Sequence, residues 1–156
     1  MPTPDFIVEL RENIGHAPLW LSGVCGVVFD DAGRVLLTQR VEHRRWALVS
    51  GILEPGEQPA QGLVREIREE TGVEAKVERL AALVADPPMV LPNGDQCQFL
   101  TLTFRCRYVS GRARVADEEN VAVSWFARDE LPQLKGSAVR RIEHASVVEG
   151  PPYFLT

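Results

Sequence analysis

The chain has 156 residues, of which 45% are hydrophobic and 25% charged, and its net charge is -5. This length and composition favour one globular domain, 1–156, with a hydrophobic core of its own. The negative charge argues against binding to duplex nucleic acid, because phosphate backbones demand a basic surface. No apolar run is long enough to span a bilayer, and the first residues lack a signal-peptide pattern. We therefore expect a cytoplasmic protein that does not bind membranes.

The first half of the chain predicts one helix followed by short strands. Apolar spacing indicates an amphipathic helix in an N-terminal extension, 1–18, and Gly15 closes this helix. The segments "SGVCGVVFD" and "RVLLTQR" flank the turn "DAG", which predicts a hairpin of two apolar strands. A further short strand, "ALVSG", ends at Gly51.

The second half mixes strands, loops and helices. The segment "EAKVERLAALVA" is predicted to be strand in part, although its helix propensity makes the prediction ambiguous. The segment "PPMVLPNGDQ" is a loop with a turn at Asn93 and Gly94. Two strands, "QFLTLTFRCRYV" and "VAVSWFA", follow. We then expect a short turn of helix at "RDELPQL", a last helix at "SAVRRIEHASVV" and an irregular tail, 149–156. Interspersed helices and strands indicate an α/β fold around a mixed sheet.

Cysteines and tryptophans are predicted to be structural. The cysteines are odd in number and lack the CxxC spacing of zinc sites, which predicts buried free thiols at Cys25, Cys97 and Cys106. Core packing is the ordinary role of a tryptophan in a domain of this size. We expect it for all three: Trp20, Trp46 and Trp125.

One segment, Gly51–Val73, stands out because a glycine-rich loop leads into a strongly charged helix. Pro59 suits the first turn of this helix, and Gly72 suits the position just beyond its end. Residues at helical spacing form a mostly apolar stripe that faces a core: Ala60, Leu63, Val64, Ile67 and Thr71.

Three glutamates of this helix form a carboxylate edge beside the stripe. Glu66, Glu69 and Glu70 stand at i, i+3 and i+4. A solvated charged face is the ordinary interpretation, but two carboxylates about 5 Å apart repel by about 3 kcal/mol at an effective dielectric near 20. Arg65 can relieve part of this repulsion by pairing with Glu69, and a divalent cation relieves more. Mg²⁺ prefers carboxylate oxygens together with water and substrate phosphates, so the segment predicts a site for Mg²⁺ and a phosphorylated substrate.

The same segment resembles the Nudix box, G-x5-E-x7-R-E-U-x-E-E-x-G-U, in which U is a bulky aliphatic residue. Every specified position is filled, by Gly51, Glu57, Arg65, Glu66, Ile67, Glu69, Glu70, Gly72 and Val73. Box and flanking strands together cover the chain from Ser22 to Leu131. The resemblance implies an α/β/α sandwich around a mixed β-sheet.

The resemblance also implies Mg²⁺-dependent hydrolysis of a nucleoside diphosphate linked to another group, with Mn²⁺ as a substitute ion. Carried over by position, Glu66, Glu69 and Glu70 are metal ligands, and one of them is a candidate general base. The family often adds a backbone carbonyl ligand before the first box glycine. Here that residue is Ser50, where the family usually has glycine.

Other box positions imply a supporting role. Glu57 and Arg65 would form a salt bridge that holds the loop against the helix, and Glu57 could reach a metal ion through water. Outside the box, the loop "ADEEN" offers Asp117, Glu118 and Glu119. We favour Glu119, and then Glu118, as a general base; the alternative is an exposed acidic loop.

Three arginines before the box are candidates for binding substrate phosphates, the alternative being a plain surface role: Arg40, Arg44 and Arg45. Among substrates, ADP-ribose or a nucleotide sugar is slightly favoured, because Pro88 follows the box at the distance seen in ADP-ribose-cleaving relatives. The SQPWPFP-type marker of NADH-cleaving members is absent from the sequence.

Several alternatives stay open. Within the class, the alternative is a pyrophosphatase of oxidised nucleoside triphosphates. An isopentenyl-diphosphate isomerase would need a catalytic cysteine, and no cysteine lies near the box. A non-catalytic binding module usually loses box glutamates, whereas this box is complete. The partner is a small-molecule nucleotide in the leading interpretation, and a homodimer is compatible with it.

Overall fold

The structure is a computed structural model that describes residues 3–156. Met1 and Pro2 of the predicted N-terminal extension lie outside the described residues. Within the described part, three helices and eight strands form: α1 Asp5–Ile14, β1 Leu19–Phe29, β2 Val35–Arg40, β3 Trp46–Ala47, β4 Val49–Ile52, α2 Pro59–Thr71, β5 Val73–Ala85, β6 Met89–Val90, β7 Gln96–Gly111, β8 Asn120–Phe126 and α3 Gly136–Ser146.

The strands form one mixed sheet, as the sequence predicts. Its central order is β3-β2-β1-β7-β5, with β4 also paired to β1, β6 to β7 and β8 to β2. Strands β1 and β7 run parallel, whereas the other pairs are antiparallel. Long pairing of β1 with β7 makes these two strands the centre of the sheet.

Helices cover both faces of this sheet. In β1, Val24 and Val28 belong to the cluster that contains Leu63 and Ile67 of α2. The intervening side chains, among them Cys25 and Val27, belong to the cluster under α3. Alternation along one strand therefore serves two cores, because successive side chains point to opposite faces. A third cluster joins α1 to the sheet through Ile7, Leu21 and Cys97.

Two predicted strand segments are arranged differently from expectation. Strands β1 and β2 do pair, at Phe29 and Val35, but β2 pairs over most of its length with β8. The segment "ALVSG" contributes to two strands, because β3 pairs with β2 whereas β4 pairs with β1. The chain changes partner at Leu48, which is buried under α3.

Tertiary pairing decides the ambiguous segment after the box. Strand β5 follows β7 along its whole length, with three register shifts, and so overrides the helix propensity of its alanines and glutamates. The predicted helical turn at "RDELPQL" is wrong, since residues 128–134 are irregular, with a turn and two bends but no helical residue. Pro132 has no N–H and disfavours the helical conformation at Leu131. A single bond from the Glu130 N–H to the Ala127 oxygen closes one turn there.

The prediction of core packing is wrong for Trp20, which is largely exposed. By strand alternation it lies on the same face as Val24 but beyond the part of β1 that α2 covers. Trp46 and Trp125 do pack, edge-to-face against Phe126 and Tyr108 respectively.

All three cysteines are buried and free, as predicted. The segment 149–156 is irregular apart from one bridge between Tyr153 and Ala82 of β5. Among residues 3–156, none of the helices combines the length and the apolar character needed to cross a membrane.

Candidate active site

The helix α2 is anchored by local sequence signals at both ends. Pro59 lies in its first turn, and Gly72 adopts the left-handed conformation (φ 68°) while its N–H bonds the Arg68 oxygen at 2.9 Å. Leu63 and Ile67, on the inner face of α2, are fully buried. Burying such a side chain contributes about 1.5–3 kcal/mol, so these two residues fix the rotation of α2 against the sheet.

That rotation makes the three box glutamates unequal. Their side chains are 2%, 6% and 57% exposed at Glu70, Glu66 and Glu69 respectively. At about 100° per residue, these residues lie roughly 75°, 115° and 175° from the mean direction of the five stripe residues. The predicted single carboxylate edge is therefore split, with two carboxylates turned inward and one turned to solvent.

Glycines in and before the helix make room for two of these acidic side chains. A Cβ at Gly51 would stand 2.6 Å from Cγ of Glu66, so β4 can pass beside Glu66 only with glycine at this position. A Cβ at Gly62 would stand 2.7 Å from Cδ of Glu57. Gly62 is not a specified box position, and the sequence analysis did not single it out.

Arg65 neutralises the outer part of the site. Its guanidinium contacts Glu57 (Nε–Oε1 3.1 Å), Glu69 (Nη1–Oε2 2.9 Å) and Glu66 (Nη1–Oε1 3.0 Å). The ion pair between loop and helix that the box implies, Glu57 with Arg65, is thus present. Glu57 also accepts a bond from the Glu54 N–H at 3.3 Å, which closes the loop.

These contacts perturb both partners. The hydrogen bond with Glu57 raises the pKa of Arg65. Partial burial opposes ionisation of Glu57, but the hydrogen bonds from Arg65 and from the Glu54 N–H, together with the charge of Arg65, outweigh it and lower the pKa of that carboxyl. Burial raises the pKa of Glu66 even though Arg65 opposes the shift.

Glu70 has a poorer set of partners. Its Oε2 lies 3.4 Å from Nη1 of Arg40 and accepts a bond from Nδ2 of Asn120 at 3.2 Å. Its Oε1 is buried and has no hydrogen-bond partner among the described residues. Burial raises the pKa of Glu70 to about 7, and the charge of Arg40 and the bond from Asn120 offset only part of that rise.

Arg40 connects the box to the acidic loop before β8. Nη1 of Arg40, the atom that contacts Glu70, also lies 3.4 Å from Oε2 of Glu119. The Val41 N–H donates to the backbone carbonyl of Glu119 at 2.7 Å. The sequence-predicted residues Arg40, Glu70 and Glu119 therefore meet in space. Glu118 is exposed in the same loop.

The other predicted residues lie nearby or at the surface. Arg44 and Arg45 are exposed in the turn between β2 and β3, where Arg44 has a positive φ of 54°. Ser50 lies in β4 opposite Cys25 and next to Gly51.

Sequence reasoning missed Asn120, which contacts Glu70, and it placed Asp117 of the acidic loop behind Glu119 and Glu118. Asn120 is the first residue of β8, and its Nδ2 also bonds both carboxylate oxygens of Asp117, at 3.0 and 3.1 Å. A polar residue that ends an acidic loop and begins an apolar strand was the available signal.

Arginines supply the counter-charges of this site in the structure. Among residues 3–156, no three His, Cys, Asp or Glu side chains converge as a group that could hold a metal ion. The donors present are nevertheless carboxylate oxygens, the ligands that Mg²⁺ prefers, and one of them, Oε1 of Glu70, has no hydrogen-bond partner within the described part of the chain. The residues at the box therefore fit a hard divalent cation in their chemistry.

Comparison with known proteins identifies the family. The family model described as the NUDIX domain matches residues 20–145. The chain belongs to the Nudix family. A MutT-like protein of Streptomyces ambofaciens is 34% identical over 116 residues, which cover 74% of this chain and 70% of that protein.

A second relative is longer than this Nudix chain. The NAD-capped RNA hydrolase NudC of Salmonella paratyphi C is 32% identical over 112 residues, which cover 69% of this chain and 40% of that protein. The chain thus spans less than half the length of the NudC relatives it matches.

Solved structures agree on the fold. A UDP-X diphosphatase has a TM-score of 0.67 at 26% identity, covering 92% of this chain and 70% of that one. A MutT NUDIX hydrolase from Burkholderia pseudomallei has a TM-score of 0.65 at 27% identity, covering 81% and 98% respectively. The predicted Nudix fold is confirmed, and with it the enzyme class, a hydrolase of phosphoanhydride bonds.

Proposed function

We propose that this Nudix hydrolase is a Mg²⁺-dependent pyrophosphohydrolase that cleaves a nucleoside diphosphate linked to another group. The observation that carries the proposal is the state of Glu70 within a complete box. Its carboxylate is almost fully buried, yet one oxygen has no hydrogen-bond partner among residues 3–156. A buried carboxylate with an unused oxygen is costly unless a further charged group completes the site.

In this proposal Glu66, Glu69 and Glu70 hold the ion, together with the Ser50 carbonyl. A divalent ion, when bound, supplies positive charge that offsets the charge of the diphosphate oxygens. Arg65 keeps the loop carboxylate of Glu57 against the helix, which preserves the spacing between loop and α2.

Arg40 is the arginine that we assign to the substrate. It stands between two carboxylates, Glu70 and Glu119, at 3.4 Å from each. A guanidinium carries five N–H donors, so donors remain for a phosphate oxygen. Arg44 and Arg45 are exposed in the neighbouring turn, where they could meet only the outer part of a substrate.

We assign the proton from the attacking water to a box glutamate rather than to Glu119. The box carboxylates lie on a helix fixed by buried side chains, whereas Glu119 lies in a loop and shares Arg40 with Glu70. A general base must be held within hydrogen-bond reach of the proton that it accepts.

Two similar proteins support the substrate class by their names. One is a UDP-X diphosphatase and the other an NAD-capped RNA hydrolase, and both names denote a nucleotide that contains a diphosphate. ADP-ribose or a nucleotide sugar is the leading substrate, and an oxidised nucleoside triphosphate is the alternative.

A substrate panel with Mg²⁺ tests the proposal. ADP-ribose, a UDP-sugar, NAD and an oxidised deoxynucleoside triphosphate are each incubated with the enzyme, and nucleotide and phosphate products are separated by chromatography. The Glu66→Gln, Glu70→Gln double variant, purified identically, controls for contaminating hydrolases. Faster release of a nucleoside monophosphate from ADP-ribose or the UDP-sugar supports the proposal. Preference for the triphosphate overturns the substrate, and hydrolysis that the double variant retains overturns the site.

A further inference from the structure

We infer that Asn120 is a positioning residue, which fixes the Glu70 carboxylate so that one oxygen is held and the other stays available. This inference rests on the proposed role of Glu70. Asn120 is only 4% exposed, and its Nδ2 donates to Oε2 of Glu70 at 3.2 Å. It lies outside the box, 50 residues from Glu70 along the chain.

The chemistry of its neighbours fixes the orientation of the Asn120 amide. Nδ2 faces three carboxylate oxygens, one of Glu70 and two of Asp117. Carboxyl oxygens that carry no proton only accept hydrogen bonds, so the amide group that meets three carboxyl oxygens is assigned as the NH₂ and not the oxygen.

Asp117 holds Asn120 in this position. Besides the side-chain contacts, Oδ1 of Asp117 accepts bonds from the backbone N–H of Glu119 at 3.2 Å and of Asn120 at 3.1 Å. The backbone and the side chain of Asn120 are therefore fixed by one carboxylate, which leaves its amide directed at Glu70.

A β-bulge brings a second donor to the same oxygen. The register of β2 and β8 shifts between Gln39 and Arg40, and at this shift Arg40 becomes the cross-strand partner of Asn120. Bulges redirect side chains and are frequent beside active sites. Here both partners of the bulged pair contact Oε2 of Glu70, while Oε1 has no partner among the described residues.

Ordinary core packing does not explain an asparagine at this position. The Asn120 Oδ1 is buried and has no hydrogen-bond partner in the part of the chain that the structure describes. An amide buried with one unsatisfied atom destabilises a fold relative to an apolar residue of similar size. A role in holding Glu70 accounts for the retained NH₂ group, because the terminal torsion of a free carboxylate is broad.

The test replaces the amide and measures metal binding directly. Asn120→Leu keeps the approximate volume and removes the donor, and Asn13→Leu makes the same change at an exposed site on α1. Calorimetric titration with Mg²⁺ alone gives the Kd, and steady-state kinetics on the best substrate of the panel give kcat and KM. For Asn120→Leu we expect Mg²⁺ binding about 10- to 100-fold weaker and kcat lowered within the same range, with KM nearly unchanged.

A double-mutant cycle separates positioning from packing. If Asn120 acts through Glu70, adding Asn120→Leu to Glu70→Gln should weaken Mg²⁺ binding by less than about twofold further. A lower melting temperature of Asn120→Leu with wild-type Kd and kcat would mean a packing role and would overturn the inference.

Two further outcomes keep the test decisive. Should Asn120→Leu fail to fold, Asp117→Asn leaves Asn120 in place but removes its charged support, and we expect Mg²⁺ binding about tenfold weaker, the lower end of the loss typical for such supporting residues. An unchanged Kd in that variant overturns the inference. If Glu70→Gln itself binds Mg²⁺ as the wild type does, the proposed function fails first; if only the Asn120 variants are unaffected, the inference fails alone.

Discussion

Two carboxylates associated with opposite faces of the sheet differ in how their charge is satisfied. Asp86, at the end of β5, accepts two bonds from Nη2 of Arg141 in α3, at 2.9 and 2.7 Å, and one from the Thr101 hydroxyl. Its side chain is 24% exposed. Glu70, on α2, is far more buried, yet its contacts are longer and Oε1 has no partner among the described residues. Glu70, the more buried of the two carboxylates, therefore has fewer hydrogen bonds than Asp86 among the described residues.

This difference separates a carboxylate that serves the fold from one that serves chemistry. Asp86 has donors on both oxygens, because Nη2 of Arg141 contacts each of them and the Thr101 hydroxyl adds a third hydrogen bond. At Glu70 the fold leaves one carboxylate oxygen without a hydrogen-bond donor among the described residues. Incompletely satisfied, buried titratable groups cluster at functional sites, which makes Glu70 the stronger candidate for binding an external ion.

The largest expected effect comes from neutralising the carboxylate on the α2 side. Glu70→Gln keeps the side-chain shape but removes the charge, so we expect turnover to fall by more than about 100-fold, beyond the loss typical of residues that only support a metal ligand. Steady-state kinetics with Mg²⁺ on the substrate selected by the panel measure this loss. Far-ultraviolet circular dichroism should show an unchanged fold. Turnover at the wild-type rate would contradict the metal assignment.

The second prediction concerns pH in the absence of metal. Burial raises the pKa of Glu70 in the fold from 4.5 to about 7, so the protonated form is the one that the fold prefers. The associated stability is fully present below the unfolded pKa and is lost as pH rises through about 7. The loss amounts to about 3 kcal/mol at most, from about 1.4 kcal/mol per pKa unit.

Urea unfolding in chelator at pH 5 and pH 8 measures this loss. Glu70→Gln should show a smaller fall in the free energy of unfolding between these values than the wild type. Mg²⁺ added at pH 8 should stabilise the wild type, because it binds the folded state. Equal pH dependence in the two proteins would mean that Glu70 does not titrate near neutrality.

The matched change on the other face should affect stability alone. Asp86→Asn leaves the partly buried Arg141 without its charged partner, and we expect a loss of about 1–3 kcal/mol in the free energy of unfolding. Turnover per folded molecule should stay at the wild-type value. A loss of turnover comparable to that of Glu70→Gln would remove the distinction between the two carboxylates.

The smallest effect is expected at the loop carboxylate. If a box glutamate is the base, Glu119→Gln should lower turnover less than tenfold, whereas loss of a general base typically costs about 10²- to 10⁴-fold. Mg²⁺ affinity should stay near normal, and Glu118→Gln provides the comparison within the loop. A loss of hundredfold or more with normal Mg²⁺ affinity would transfer the base to Glu119.

Local signals predicted the box helix well. Pro59 and Gly72 delimit α2 closely, because the constraints on both residues act within one turn of the chain. The unequal burial of the glutamates follows from helix periodicity alone, once the apolar stripe is taken as the buried face. Glu69 lies nearly opposite that stripe and is solvent-exposed.

Features that depend on pairing between strands far apart in the sequence could not be predicted from local signals. The contact of Asn120 with Glu70 requires β8 to pair with β2 and the register to shift at Arg40. Such a shift depends on side-chain packing across strands rather than on local sequence. The exposure of Trp20 likewise reflects how far α2 reaches along β1.

The bridge at Tyr153 has a consequence for how the protein avoids aggregation. The backbone N–H of Tyr153 donates to the Ala81 carbonyl at 2.9 Å, and the Tyr153 carbonyl accepts from the Leu83 N–H at 2.8 Å. The Tyr153 ring stacks on His144 with the ring centroids 4.0 Å apart. The segment thereby covers backbone groups at the β5 edge, which could otherwise template pairing with another copy. Variants truncated at the C-terminus that lack Tyr153 should therefore self-associate through β5. A truncation made for crystallisation should retain Tyr153.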